Sequence, residues 1–552
     1  MHPLVSRMTL EEKIGQMLMP QVLPDESGMP SDQTREMVSR YGAGFVITYG
    51  HRTVRHLAES NNRLQRWAAS TRLGIPVMVG ADLEYGLRHN VRYGTTAFPR
   101  QMGIAAAASE QLAEQIALAI ARQARAAGVH WNFSPVVDVN TNPANPVIGV
   151  RAFSDDPERV ARFGTAMVRG YQKGGVVSTP KHYPGHGDTS ADSHVDLPAV
   201  AYDPDTLRRV HLRPFSAAFD AGADSIMTAH MIVRCIDPDR PATVSEGVLS
   251  GLLRREQNFQ GVVVTDAMSM GAIADRFGPG EAAVMAVKAG ADVVMMTGSY
   301  ANQVAAWVAL VQASLRHEID PARIDASVDR ILRLKEKYHL LEAGHPVDAL
   351  VKSDEAEKEA FSPAHRELAS EAYRRSLTVL VNRGALPFRP DRVRTLLVTG
   401  PREAEVVAQA MRRRFAAVIS LPTPGNGFEG SFNPSPDELE AAGRLARAVD
   451  AALVLTYSSF KPPLAPGQVQ LVRRVREAGI PTVVAALGLP YDITSLGDAD
   501  AFIATYAQDR WGTPSPLPQE LADALAGLVA GEFEATGRLP VAVPQTASPS
   551  SP

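Results

Sequence analysis

Eight short apolar runs recur along the first 340 residues, each closed by polar or glycine-rich punctuation: IGQML (14–18), GFVIT (44–48), PVMVG (76–80), HWNFS (130–134), GVVST (175–179), DSIMT (224–228), GVVVT (261–265) and DVVMM (292–296). Runs this short, with little polar alternation, suit strands buried on both faces, as in a parallel sheet covered by helices. Helical stretches lie between most of them. The clearest, EQLAEQIALAIARQARAAG (110–128), repeats its apolar residues at three- and four-residue spacing. Eight strand–helix units are the number that closes a (β/α)8 barrel. An α/β chain opening with a TIM-like barrel over residues 1–341 is therefore expected, its last helix being IDASVDRILRLKEKYHLL (323–340). The first of the eight strands is the weakest in pattern.

A polar, charged stretch, 342–365, reads as a linker. Beyond it a second α/β unit (366–545) carries strand-like runs at 377–381, 395–399, 416–420, 452–456, 482–486 and 501–505. Helical segments at 402–413, 436–449, 466–479 and 517–530 separate several of them. That order predicts an α/β/α sandwich with helices on both faces. The tail, 546–552, is low in complexity and expected to be disordered. At 552 residues, 45% of them hydrophobic, the chain has material for two large cores.

A formal net charge of −4 offers no basic field for nucleic acid or an anionic membrane. The lone cysteine, Cys235, excludes an internal disulfide framework and a site of several thiolates. No apolar run approaches the roughly 20 residues that span a bilayer. The opening MHPLVSRMTLEEKIGQM turns charged before a signal-peptide core forms, so a soluble, cytoplasmic protein is expected.

The polar residues fall at strand ends. Asp82 follows the third run, Lys181 and His182 the fifth, His230 the sixth and Asp266 the seventh. In a (β/α)8 barrel the loops after the strands' carboxyl ends build the active site, so these side chains should converge on one mouth. The densest segment is KHYPGHGDTSADSHVDLP (181–198), with three histidines and three aspartates. Pro184, Gly185 and Gly187 forbid a helix there, leaving a loop rich in proton-transfer groups. Two Asp/His pairs of equal spacing occur in it, His186 with Asp188 and Asp192 with His194. Spacing alone does not choose between them. His182 and His186 are four apart, a metal-ligand spacing on a helix, but the proline and glycine between them break any helix and argue against a metal site.

KHYPGHGDTSADSH, GVVVTDAMSM, VIGVRAFSDDP (147–157) and GEFEATGRLPVAVP (531–544) together resemble the family 3 glycoside hydrolases, in particular their β-N-acetylglucosaminidase branch. The resemblance covers both expected domains. It implies that Asp266 is the nucleophile of a retaining mechanism, in which a carboxylate attacks the anomeric carbon. It also implies an unusual acid/base, His194 paired with Asp192, in place of a second carboxyl group. Imidazole exchanges protons near neutrality, and a carboxylate at its other nitrogen fixes the tautomer, so the chemistry is sound. Asp82, Arg151, Lys181 and His182 match residues that hold the hydroxyls of the terminal sugar. His230 either lines the site or is a satisfied barrel histidine.

The function implied is a retaining exo-β-N-acetylglucosaminidase needing no cofactor, its partner a carbohydrate substrate. Whether that substrate is a peptidoglycan fragment or a chito-oligosaccharide stays open, as does oligomeric state. Three other readings also stay open. One is a phosphorylase, because imidazole does not repel phosphate as a carboxylate does. Another is a β-glucosidase or β-xylosidase of the same family, against which Asp192–His194 argues. The third is a sugar-binding protein without turnover. One departure bears on specificity: the branch's Asp-x-Glu-Gly-Gly becomes DLEYG at 82–86, with Tyr85 placed to stack on a sugar or to fill part of the pocket.

Overall fold

The computed structural model describes all residues except 343–349, 425–431, 459–463, 498, 508–516 and 545–552. By packing, the chain divides into two units: Met1–Thr96, Ala113–Val139 and Pro157–His365 form the first, and Ala97–Leu112, Asn140–Asp156 and Arg366–Pro552 the second. Within the stretch read as a linker, Ser353–Ala360 is a helix. The tail expected to be disordered lies outside the described residues.

In the first unit the eight barrel strands are β1 (Leu18–Pro20), β2 (Phe45–Ile47), β3 (Met78–Ala81), β4 (Trp131–Asn132), β5 (Val177–Ser178), β6 (Ser225–Met227), β7 (Val262–Val264) and β8 (Val294–Met296). Parallel pairs join β2–β3, β3–β4, β4–β5, β6–β7 and β8–β1. Parallel bridges Gln21↔Ile47, Tyr183↔Thr228 and Val264↔Val293 supply the three remaining links, so the ring closes. Trp131 and Phe45 meet edge to face inside it, centroids 5.0 Å apart. The indole N–H of Trp131 donates to Thr179 and Ser225 hydroxyls, which satisfies a polar group in an apolar interior.

The first strand was expected at 14–18, but Leu10–Gln16 is a helix. Thr9 caps it by accepting the Glu12 amide while the Glu12 carboxylate takes the Thr9 amide, and this reciprocal cap fixes a helix start. Ile14, Met17 and Leu18 stand at helical as well as strand spacing, so pattern alone did not separate them.

The second unit holds a six-stranded sheet of β9 (Thr378–Asn382), β10 (Thr395–Gly400), β11 (Ala417–Pro422), β12 (Ala451–Thr456), β13 (Thr482–Ala486) and β14 (Ala501–Ala504). Their order is β9-β14-β13-β12-β10-β11, parallel except for β9. Leu397, Val454, Val484 and Phe502 pack against Leu439, Leu471 and Val475 of two helices. The alternate residues Leu396, Val398 and Leu453 are also buried, as a sheet covered on both faces requires.

A buried carboxylate here makes stability pH-dependent. Asp492 is 1% exposed and accepts hydrogen bonds from the hydroxyls of Thr456, at 2.7 Å, and Ser458. Burial pushes its carboxyl up to about 6, against the smaller lowering by Ser458 and Thr456. A carboxyl raised in the folded state contributes stability that is full below its unfolded value, near 4, and is lost as pH rises through about 6. Urea unfolding of wild type and Asp492→Asn should show the wild type's relative stability falling by about 2 kcal/mol between pH 4 and pH 8. A difference that stays flat with pH would contradict this.

Candidate active site

The residues at the strand carboxyl ends form a connected network in the first unit. Lys181, just past β5, is 3% exposed, and its ammonium lies 2.6 Å from Asp82 Oδ1 and 2.9 Å from Glu84 Oε1. Asp82 and Glu84 leave the end of β3, so one buried cation holds two carboxylates across the mouth. Breaking such a group by removing one partner leaves uncompensated charge, which is costly in a buried position.

The next residue, His182, is tied to Asp138. Its Nδ1 lies 2.7 Å from Asp138 Oδ2, and its backbone N–H donates to the same carboxylate. The His186 amide donates to Asp138 Oδ1 at 2.6 Å. Fully buried Asp138 thus shapes the turn 182–186. Gly187 permits the close approach: a Cβ there would stand 1.9 Å from the Val139 carbonyl oxygen. Neither Asp138 nor Glu84 was singled out from sequence. Asp138 follows the fourth strand in SPVVDVN, so the strand-end rule applied to every barrel strand would have flagged it.

The two Asp/His pairs resolve differently. His194 Nδ1 lies 2.8 Å from Asp192 Oδ1, and the His194 amide donates to that oxygen at 2.9 Å. The His186 ring instead bonds to the hydroxyls of Thr189 (2.7 Å) and Ser193 (2.9 Å). Burial, then the charge of His182, pushes the His186 imidazole down to about 4, so it is neutral at physiological pH. A neutral His186 thus ties the fixed turn to the loop carrying the Asp192–His194 pair. That loop is also fastened on its far side. The Gly271 and Ala272 amides donate to the carbonyl oxygens of His194 (3.1 Å) and Ser193 (3.3 Å).

Asp266, just past β7, is half-buried and accepts the Ala267 amide at 2.7 Å. Burial pushes its carboxyl up, but His182, His230, His194 and the Ala267 N–H together outweigh that and hold it at about 2. The site therefore presents a carboxylate that stays ionised at neutral and mildly acidic pH. His230 is fully buried, with Nδ1 at 2.7 Å from the Thr243 hydroxyl and Nε2 at 3.1 Å from the Ala267 carbonyl oxygen. Both ring nitrogens thus engage protein, Nε2 at the residue that follows Asp266.

Arg151 is buried in a short turn, Gly149–Arg151, and donates to the Val147 carbonyl oxygen. Its segment groups with the second unit. Tyr85 is 6% exposed and stacks on His89 of the same loop, ring centroids 4.7 Å apart.

Residues 9–334 match the glycosyl hydrolase family 3 N terminal domain, and residues 377–551 the glycosyl hydrolase family 3 C-terminal domain. The chain is 29% identical over 555 residues to a β-hexosaminidase A of Pseudoalteromonas piscicida, covering 92% of this chain and 90% of that protein. A β-hexosaminidase of Stenotrophomonas maltophilia (strain R551-3) is 39% identical over 230 residues, 40% of this chain and 67% of its own length. Among solved structures, a glycoside hydrolase family 3 β-N-acetylglucosaminidase from Paenibacillus sp. str. FPU-7 superposes with a TM-score of 0.83 at 30% identity. That superposition covers 98% of this chain and all of the other.

Proposed function

The chain belongs to glycosyl hydrolase family 3, and we propose that it is a retaining exo-β-N-acetylglucosaminidase that removes terminal N-acetylglucosamine from β-linked glycosides. The observation that carries this reading is the joining of two loops: the one bearing Asp192–His194 is hydrogen-bonded at Gly271 and Ala272 to the one that follows Asp266. An ionised carboxylate and a carboxylate-oriented imidazole on joined loops are the two groups a double displacement needs.

In the first step a carboxylate oxygen of Asp266 bonds to the anomeric carbon, and the bond to the leaving oxygen breaks. His194, whose Nδ1 faces Asp192, gives that oxygen the proton from Nε2. In the second step water loses a proton to His194 Nε2 and attacks the same carbon, releasing Asp266 and the sugar with net retention. The substrate's acetamido group is not the nucleophile in this scheme. The Lys181–Asp82–Glu84 group, with His182, offers charged donors and acceptors suited to sugar hydroxyls. Peptidoglycan fragments and chito-oligosaccharides both present such a terminal sugar.

The test is a comparison of aryl β-N-acetylglucosaminide with aryl β-glucoside, each with and without phosphate. A preference for the N-acetylated sugar, indifferent to phosphate, is expected. A rate that climbs with phosphate and yields sugar 1-phosphate would make the enzyme a phosphorylase, and a preference for the glucoside would overturn the substrate assignment.

A further inference from the structure

Tyr85 is buried, and an aromatic residue that the sequence motifs do not mark stands open at the barrel rim. Tyr49 lies just past β2, in TYGHRT. The Thr48 amide donates to the Gly80 carbonyl oxygen of β3 at 3.1 Å, and Asp82 stands two residues beyond Gly80. Tyr49 and Asp82 therefore leave neighbouring parallel strands at the same level of the barrel rim. The Tyr49 side chain is 42% exposed. Even so, surrounding protein is the largest cause raising its phenol well above the usual tyrosine range, with the charges of Asp82 and Asp266 adding to it. The register Ile47↔Gly80, carried two residues on, sets Tyr49 opposite Asp82, and partners across a parallel pair present their side chains on the same face, here the one on which Asp82 holds Lys181.

The turn that carries it is held rigidly. Asn90 Nδ2 donates to the Thr48 carbonyl oxygen at 2.6 Å, and the His51 amide donates to the Asn90 carbonyl oxygen at 2.9 Å. The Thr48 hydroxyl bonds His51 Nε2, while His51 Nδ1 lies 3.0 Å from His56 Nδ1. Gly50, at φ 70°, lets the chain reverse directly after Tyr49 into the short strand His51–Thr53, which pairs with Val91–Tyr93. Thr48, His51 and Asn90 are all buried. Several buried polar groups thus fix the backbone turn from which one open aromatic ring projects, an arrangement suited to a preorganised binding surface. Asn90 and Val91–Tyr93 belong to the loop that departs from the family pattern at Tyr85. Through Asn90 that loop is hydrogen-bonded to the Tyr49 turn.

The geometry points to Tyr49 as a substrate-contacting residue that walls the subsite for the terminal sugar, its ring against the pyranose and its hydroxyl toward the sugar hydroxyls. The phenol stays protonated beside two carboxylates and so donates a hydrogen bond. This inference rests on the glycosidase reading above. The contact is made to sugar bound in either state, so it should act on binding more than on the chemical step.

Steady-state kinetics of wild type, Tyr49→Phe and Tyr49→Ala on aryl β-N-acetylglucosaminide and aryl β-glucoside test it. In Tyr49→Ala, KM is expected to rise about tenfold or more while kcat changes by less than about threefold, with Tyr49→Phe between the two. The melting temperature should stay at the wild-type value, because the ring is open to solvent. An unchanged KM in Tyr49→Ala, on whichever substrate the wild type turns over, would overturn the role of Tyr49. A wild type that turns over only the glucoside would instead overturn the substrate assignment, and the same KM comparison on the glucoside would still decide Tyr49.

Discussion

Replacing Asp266 with asparagine is expected to lower kcat by about 10⁴-fold or more on every substrate, whatever the leaving group. Asparagine is nearly isosteric and its side-chain oxygen can still accept the Ala267 amide, so the loop should keep its shape. What disappears is the anion. In the wild type the neighbouring histidines hold the Asp266 carboxyl at about 2 despite burial. A carboxyl lowered this far is ionised at every pH above about 4, so it should set no acid limb of the rate profile in that range. A purely structural aspartate capping the loop predicts the opposite result, a variant with near-normal kcat. Activity assays beside circular dichroism of both proteins separate the two.

The second large effect concerns His194. His194→Ala should lower kcat/KM by about 10³-fold for a sugar leaving group, which needs a proton to depart. For a 2,4-dinitrophenyl glycoside, whose leaving group needs almost none, the loss in kcat/KM should be about tenfold or less. kcat on the activated substrate should still fall, because the water attack of the second step loses its base. Asp192→Ala should show the same pattern in weaker form, since Asp192 orients the ring through its 2.8 Å contact and does not itself exchange the proton. Equal losses on both leaving groups would count against His194 as the acid.

How far these features could be read from sequence follows their physical origin. The buried parallel strands were legible because a strand covered on both faces is apolar along its length, as VVV at 262–264 and FVI at 45–47 are. The first strand slipped because a capping box at Thr9 and Glu12 claims the residues just before it for a helix. Asp82, Lys181, His182 and Asp266 were legible because barrel topology places strand-end residues at one mouth. Asp138 and Glu84 act through partners 44 and 97 residues away in sequence, in contacts that only folding creates. Tyr49 carries no motif at all; its place is set by register with β3 and by Asn90. Segments 97–112 and 140–156 likewise read as part of a continuous barrel. In three dimensions Met102, Ala106 and Val150 bury themselves against Leu489, Tyr491 and Ala504.

The most direct measurement is to quench wild-type enzyme during turnover of a fluorinated 2,4-dinitrophenyl N-acetylglucosaminide, whose glycosyl-enzyme ester hydrolyses slowly, and to map the labelled peptide by mass spectrometry. One sugar attached to the carboxylate of Asp266, and absent from Asp266→Asn, is the result expected. A label on another residue, or turnover with inversion and no labelled peptide, would contradict the double displacement at Asp266.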